Sequence, residues 1–478
     1  MSDRPNIVLL VMDSARAESM SCYGAPRPTT PHLEDLARES TLYTRASSVG
    51  CWTLPVHATL FTGLFPARHG LTISRDALPE GFPTLARRLS GAGYDTACFS
   101  NNPYISSATG LAQGFRLVED LWRSNRPRGT AKPRGQVYTE RLEGGGPGAR
   151  LALPLVRSGL RARSQARRWR SWTSTRDSGA RTTNDHLRSW LVQRADSNRP
   201  FFAFVNYMET HEPYRPPHPF NERFLPGRSG RIRAARLGSK TAVLAAAARG
   251  ETEAIDTLRA LYEGTLAYLD EQIGELVEGL RELGALDDTL LVVTSDHGDS
   301  LGEHGHLGHR LFLYEQLVHV PLLVRYPARF PAGARRDPLV QLGDLHPTIL
   351  ELAGAGGEAR DGVETFVSLL DEGSLARRRY AVAENTAPKA LGSVRMRMLR
   401  GDRHKYIWRS DGTRELYDLG EDPGELENLA ASRGDLVDEL HGELDGWERG
   451  LVGEQVETRE AAYDEETARR LRGLGYIG

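Results

Sequence analysis

Three short stretches of this sequence carry side chains suited to metal-assisted chemistry on an anion. In the first, residues 6–12 form an unbroken apolar run rich in Val and Leu that stops at Asp13. Such a run has the length of a strand buried on both faces, which puts Asp13 at the strand's carboxyl end. In the second, the run 289–294 leads into Ser295, Asp296 and His297. Carboxyl ends of parallel strands share one edge, where α/β enzymes bind their ligands, so the two aspartates meet there although far apart in sequence. Two carboxylates and an imidazole suit a divalent ion such as Zn²⁺ or Mn²⁺ better than Ca²⁺. In the third, Cys51-Trp52-Thr53-Leu54-Pro55-Val56-His57 runs from a tight loop into a helix with Thr53 near its N-terminus. A helix N-terminus favours anions, and a threonine hydroxyl becomes a useful nucleophile once a metal lowers its pKa. Plainer readings stand beside these: a strand-end turn or helix cap for Asp296 and His297, and an N-cap for Thr53.

The elements that must position these groups follow from hydrophobic period. Runs at 94–100, 201–207, 289–294 and 320–326 read as further strands, and Thr30-Pro31 opens a helix with Leu33, Leu36 and Ala37 on one face. Between 255 and 283, Leu258, Leu261, Tyr262, Leu269, Ile273, Leu276, Leu280 and Leu283 line one side of a long helix closed by Gly284. Strands alternating with helices predict an α/β fold, a large mostly parallel sheet sandwiched by helices. Past about residue 380, short segments at 395–400, 404–409 and 414–419 separated by Gly401-Asp402 and Asp411-Gly412 predict a small antiparallel sheet. The Arg-, Ser- and Gly-rich stretch of about 123–188 reads as an insert, either a solvated excursion or a lid that touches an anionic ligand. Another Arg- and Ala-rich stretch, 231–250, reads as helical surface elaboration.

Composition narrows the functional classes. With 61 basic and 63 acidic side chains the net charge is -2, which excludes a nucleic-acid binder that works by overall basicity. Three cysteines, Cys22, Cys51 and Cys98, without C-x-x-C spacing indicate neither a disulfide framework nor a zinc knuckle. No stretch of about 18 apolar residues could span a bilayer, and the N-terminus has no signal-peptide pattern, so the expectation is a cytoplasmic protein without a membrane partner. Homo-oligomer formation is left open.

Further blocks then fall into order along the chain: PNIVLLVMDSAR, TTPHLEDLARES, TLPVHATLFTGLFPARHG, NYMETHEPYRPP, TSDHGDSLGEHG, LYEQLVHVPLLVRYP, ELYDLGEDPGELENLA and LRGLGYIG. Together they resemble the sulfatase family of the alkaline-phosphatase superfamily, over nearly everything outside the Arg-rich stretch. The resemblance implies a catalytic domain over 1–379 and a C-terminal subdomain over 380–478 with the small sheet and a closing helix. It implies Asp13, Asp296 and His297 as metal ligands, with Thr53 at the nucleophile position and also touching the metal. His211 and His309 would contact the transferred anion or protonate the leaving group. His57 stands where sulfatases usually have an Arg that orients the nucleophile. Two-metal relatives also need an Asp-x-x-x-His pair, which is missing; one metal is expected, with His304, His306 and His309 as the obvious cluster for a second.

The departures from the family shift the expected substrate. Sulfatases resemble C-x-P-x-R or S-x-P-x-R, whose first residue is oxidised to formylglycine; aligning Pro55 places Thr53 there, with Cys51 two residues too early. Oxidised threonine would give a ketone, not an aldehyde. Ser14 replaces a usual second Asp, and His297 stands where several relatives have Asn, both favouring a transition metal over Ca²⁺. The expected function is a metal-dependent hydrolase of small phosphate esters, diesters or phosphonate monoesters, through a covalent Thr53 intermediate. The alternatives are a sulfuric ester hydrolase working without formylglycine, a catalytically silent binding protein, and a transferase.

Overall fold

The computed structural model describes residues 4–124, 177–236, 240–247, 249, 251–309, 312–356, 363–366, 378–386, 393–451, 453, 455–474 and 476. The apolar runs form the strands of one large sheet: β1 (Asn6–Met12), β2 (Thr41–Tyr43), β3 (Asp95–Ser100), β4 (Leu117–Asp120), β5 (Phe201–Tyr207), β6 (Thr289–Ser295), β7 (Leu322–Arg325) and β8 (Arg335–Arg336). Their order across the sheet is β8-β2-β7-β6-β1-β5-β3-β4. The pairs joining β6, β1, β5, β3 and β4 are parallel, whereas β7 runs antiparallel to both β6 and β2.

β1 lies at the centre, and its continuous apolar composition has a direct cause. Ile7, Leu9 and Val11 enter one core, Val8, Leu10 and Met12 the other, so neither face can be polar. The first core is closed by α2 (Thr53–Thr62), α3 (Leu85–Gly91) and α6 (Leu345–Leu352); the second by α1 (Pro31–Arg38), α4 (Ala180–Gln193) and α5 (Glu253–Glu282). The long helix ends where Gly284 takes φ +64°, a left-handed conformation that glycine adopts without steric cost. Leu283, expected on the buried stripe, lies just past that helix and is exposed. The stretch 231–250 holds parts of two helices, Gly227–Arg236 and Lys240–Ala247, not one. The Arg-rich stretch read as an insert lies mostly outside the described residues, and α4 begins at Ala180.

The C-terminal strands form the expected antiparallel sheet with one strand added: β9 (Ala381–Thr386), β10 (Arg395–Arg400), β11 (His404–Arg409) and β12 (Arg414–Asp418), in that order. Its Val382, Leu399, Tyr406 and Leu416 join the first core of the large sheet, together with Val437, Leu440 and Leu444 of α7 (Gly434–Gly450). The chain then returns across the N-terminal half. Val456 N–H donates to Arg68 O, Arg459–Glu460 pairs antiparallel with Asp76–Ala77, and Tyr463 Oη donates to Ser74 O. α8 (Glu465–Gly473) follows, capped by Asp464, which accepts from Thr467 N–H. No helix among the described residues is long and apolar enough to cross a membrane.

Candidate active site

β1 and β6 are adjacent and parallel, so the residues that follow them emerge side by side at the carboxyl edge. Asp13 and Asp296 are both fully buried there. Asp296 Oδ1 accepts hydrogen bonds from the N–H groups of Ser14 (3.1 Å) and His297 (2.8 Å), while its Oδ2 is buried with no hydrogen-bond partner. His297 Nδ1 lies 2.8 Å from Gly298 O, and because a carbonyl only accepts, Nδ1 carries the proton and Nε2 the lone pair. That Nε2 is likewise buried and without a hydrogen-bond partner, 3.5 Å from Asp296 Oδ2. A Cβ at Gly298 would lie 2.0 Å from Gln316 O, so only glycine lets the loop pass after Asp296-His297.

Asp13, Asp296 and His297 each offer a ligand atom, all within 4.8 Å of one another, and among the described residues no other such group forms. The orphaned oxygen and nitrogen fit a divalent ion, as does the charge balance. Burial, then the neighbouring Asp13 charge, pushes Asp296 well above the usual carboxylate range. Burial also works to raise Asp13, but His211, His297, His309 and His57 outweigh it and hold that carboxyl below its ordinary value. Burial foremost brings His297 down to about 4, which keeps its imidazole neutral, the form that binds a metal.

Thr53 is the first residue of α2, and Trp52, in extended conformation, occupies the N-cap position; the N-cap reading of Thr53 is therefore corrected. Instead, Thr53 Oγ1 lies 3.3 Å from Asp13 Oδ2 and 3.4 Å from the Tyr476 hydroxyl. Every residue of α2 is buried, so Thr53 rides on a helix fixed along its whole length. His57, one turn on, directs Nδ1 to Thr53 O at 2.9 Å and lies 3.7 Å from Asp296 Oδ2. Its ring packs edge-on against Phe204, and burial lowers its pKa to about 4.

Two more imidazoles close the group. His211 and His309 have ring centroids 5.1 Å apart, and His309 lies 4.5 Å from the His297 ring. Asp299 Oδ1 is 3.5 Å from His309 Nδ1, and Asp299 Oδ2 accepts from Tyr214 Oη at 2.5 Å. His304 and His306 do not join them: they stack on Tyr314 and Phe312, each at 3.9 Å, so the three histidines offered as a candidate for a second metal form no ligand group among the described residues.

Sequence reasoning missed two contacts. Asn102 donates from Nδ2 to Asp13 Oδ2 at 2.8 Å, and it follows β3 just as Asp13 follows β1, so the strand-end rule could have found it. Tyr476, whose hydroxyl is 2.7 Å from His211 Nε2, lies in the LRGLGYIG block, which nothing in the local spacing ties to the site.

Comparison with known proteins identifies the family. The sulfatase family model matches residues 5–355, and a model for the C-terminal part of N-sulphoglucosamine sulphohydrolase matches residues 302–449. An arylsulfatase of Clostridium perfringens is 25% identical over 496 residues, covering 95% of this chain and 99% of its own length. The crystal structure of a phosphonate monoester hydrolase of Agrobacterium radiobacter superposes with TM-score 0.69 at 22% identity, covering 93% of this chain and 96% of that one. A structure solved in complex with its substrate D-glucosamine-2-N,6-O-disulfate superposes with TM-score 0.70 at 20% identity, covering 93% and 98%. With the family model spanning most of its length, the chain belongs to the sulfatase family of the alkaline-phosphatase superfamily, and it is an ester hydrolase.

Proposed function

We propose that the protein hydrolyses small phosphorus esters, phosphate diesters or phosphonate monoesters, through a covalent intermediate on Thr53. The observation that carries this reading is the position of Thr53 Oγ1 beside Asp13 at the head of α2, with Cys51 turned elsewhere. Cys51 is buried with Leu313, Leu317, Met396 and Met398 in a separate apolar cluster, which supports an unmodified threonine over a formylglycine derived from that cysteine.

A divalent ion held by Asp13, Asp296 and His297, and touched by Thr53, would supply Lewis acidity toward the ester and make the Thr53 hydroxyl more acidic. The neutral His297 nitrogen, and a Ser14 hydroxyl where a further carboxylate would suit Ca²⁺, favour Zn²⁺ or Mn²⁺. Thr53 Oγ1 attacks phosphorus in line with the departing oxygen, His211 or His309 gives that oxygen its proton, and water then releases the acid from Thr53. The positive end of the α2 dipole at Thr53 would favour the growing anionic charge. His57 holds the first turn of α2 through its bond to Thr53 O.

Sulfate esters are the second reading, favoured by the identity of the chain with an arylsulfatase over its length. A silent binding protein is disfavoured, because orphaned ligand atoms and three apposed imidazoles would have no reason to persist together. The deciding experiment compares rates of the metal-loaded protein on aryl phosphodiester, phosphonate monoester, phosphate monoester and sulfate substrates, with Thr53→Ala alongside. Preference for a phosphorus ester, lost in Thr53→Ala, is the expected result. Preference for sulfate restores the sulfatase reading, and activity intact in Thr53→Ala removes the nucleophile assignment.

A further inference from the structure

The hydroxyl of Tyr476 occupies the gap between the nucleophile and a histidine that the proposed mechanism uses. It lies 2.7 Å from His211 Nε2 and 3.4 Å from Thr53 Oγ1, although Tyr476 is 423 positions from Thr53 in sequence. The residue is 4% exposed, and its ring packs on Tyr104 (centroids 4.7 Å apart) and on His211 (5.4 Å). Its backbone is fixed at both polar atoms, since its N–H donates to Leu471 O at 2.8 Å and its carbonyl accepts from Ser74 Oγ at 2.9 Å. A side chain so held is part of the pocket wall.

The direction of the hydrogen bonds follows from chemistry. His211 Nδ1 is 2.7 Å from Glu212 O, which can only accept, so in the neutral ring Nδ1 carries the proton and Nε2 presents its lone pair. In that form Tyr476 Oη donates to His211 and can accept from Thr53. Thr53 Oγ1 has two acceptors in reach, Asp13 Oδ2 and Tyr476 Oη, and Asp13 Oδ2 already accepts from Asn102.

We propose that Tyr476 is a catalytic residue that relays the Thr53 proton to His211, an inference that rests on Thr53 being the nucleophile. As Thr53 Oγ1 bonds to phosphorus or sulfur, its proton passes to Tyr476 Oη and the Tyr476 proton passes to His211 Nε2. The bond from phosphorus or sulfur to the leaving oxygen breaks with its electron pair on that oxygen, which takes the proton from His211 and leaves as an alcohol. In the second half, water gives a proton to His211, its oxygen bonds to phosphorus or sulfur, and the departing Thr53 oxygen regains its proton from Tyr476, which is refilled from His211. The histidine and tyrosine end each turnover as they began it. Contacts of this kind in a substrate-free site are commonly long and tighten when substrate binds.

The test uses the full, metal-loaded chain and four variants: Tyr476→Phe, His211→Asn, the double variant and Thr53→Ala. Tyr476→Phe keeps the ring packing and removes only the hydroxyl. It is expected to lower kcat about 100-fold or more, the usual scale of a lost proton-transfer group, with KM within about twofold and the melting temperature unchanged. Because the relay works through His211, Tyr476→Phe is expected to cost nothing further in the His211→Asn background. Full or increased kcat in Tyr476→Phe, a loss confined to KM, or losses that multiply in the double variant would each overturn the relay. Thr53→Ala separates the two ideas. If it stays active, the nucleophile reading fails with the relay built on it; if it is dead while Tyr476→Phe is fully active, only the relay fails.

Discussion

Two buried clusters of ionisable groups sit in this molecule, and they are built on opposite plans. Below the small sheet, Lys405 is fully buried between Glu315 (3.0 Å) and Glu425 (2.8 Å), and Arg400 lies 3.3 Å from Glu315. Cations and carboxylates there pair, so Glu315, which burial alone would raise, is held well below its ordinary range by Lys405 and Arg400, while burial keeps Glu425 above its own despite Lys405. At the carboxyl edge of the large sheet, Asp13 and Asp296 face each other with neutral imidazoles, and Asp296 is pushed up. One cluster carries its own counter-charge, while the other keeps its lone pairs for something the chain does not provide. A buried site that fails to balance internally is a functional candidate; a balanced one is scaffolding.

The sharpest way to break this contrast is to neutralise one member of each. Asp296→Asn should lower kcat at least about a thousandfold, on the scale of lost charge stabilisation in a transition state, as read by steady-state rates. In the metal-free protein the same change should leave the melting temperature equal or higher, because it removes a like-charge neighbour. Lys405→Met should do the reverse. Leaving Glu315 and Glu425 buried without their shared cation should cost about 3–5 kcal/mol in a denaturant titration, with KM and kcat of the remaining folded protein near wild type. If Lys405→Met instead abolishes turnover at unchanged stability, the two clusters are not distinct in kind.

A smaller effect concerns the counter-charge itself. Zn²⁺ or Mn²⁺ added to metal-free protein at 100 times its Kd should stabilise the fold by about 2.7 kcal/mol, read by thermal melting, and Asp296→Asn should remove that gain. The smallest effect is in acid. Glu315 is depressed in the folded state from a reference near 4.5, so its contribution is fully present above that pH and is lost as pH falls toward the folded value. The part of the stability gap between wild type and Lys405→Met that Glu315 carries should therefore narrow as pH falls below about 4.5.

How much of this was legible in sequence depended on whether the signal was local. β1, β5 and β6 could be read because a strand buried on both faces must be apolar without a break, and their ends located Asp13 and Asp296. The direction of β7 could not be read, because a buried run has the same composition parallel or antiparallel. His304 and His306 looked like ligands by proximity to His309, but the backbone turns at His304 (φ +52°) and lays both rings on aromatic partners instead. Tyr476 was invisible for a different reason. Its role depends on where the chain returns after α7, and no spacing within a window reports a contact across 423 positions.

That return has a consequence for the order in which the site is assembled during synthesis. Asp13, Thr53, His211, Asp296 and His297 are all made before residue 310, and the large sheet can gather them while the ribosome is still translating the small sheet. Tyr476 reaches the pocket only after α8 has been made and has left the exit tunnel. A nascent chain would thus gather Asp13, Thr53 and Asp296 at the sheet edge well before Tyr476 can join them.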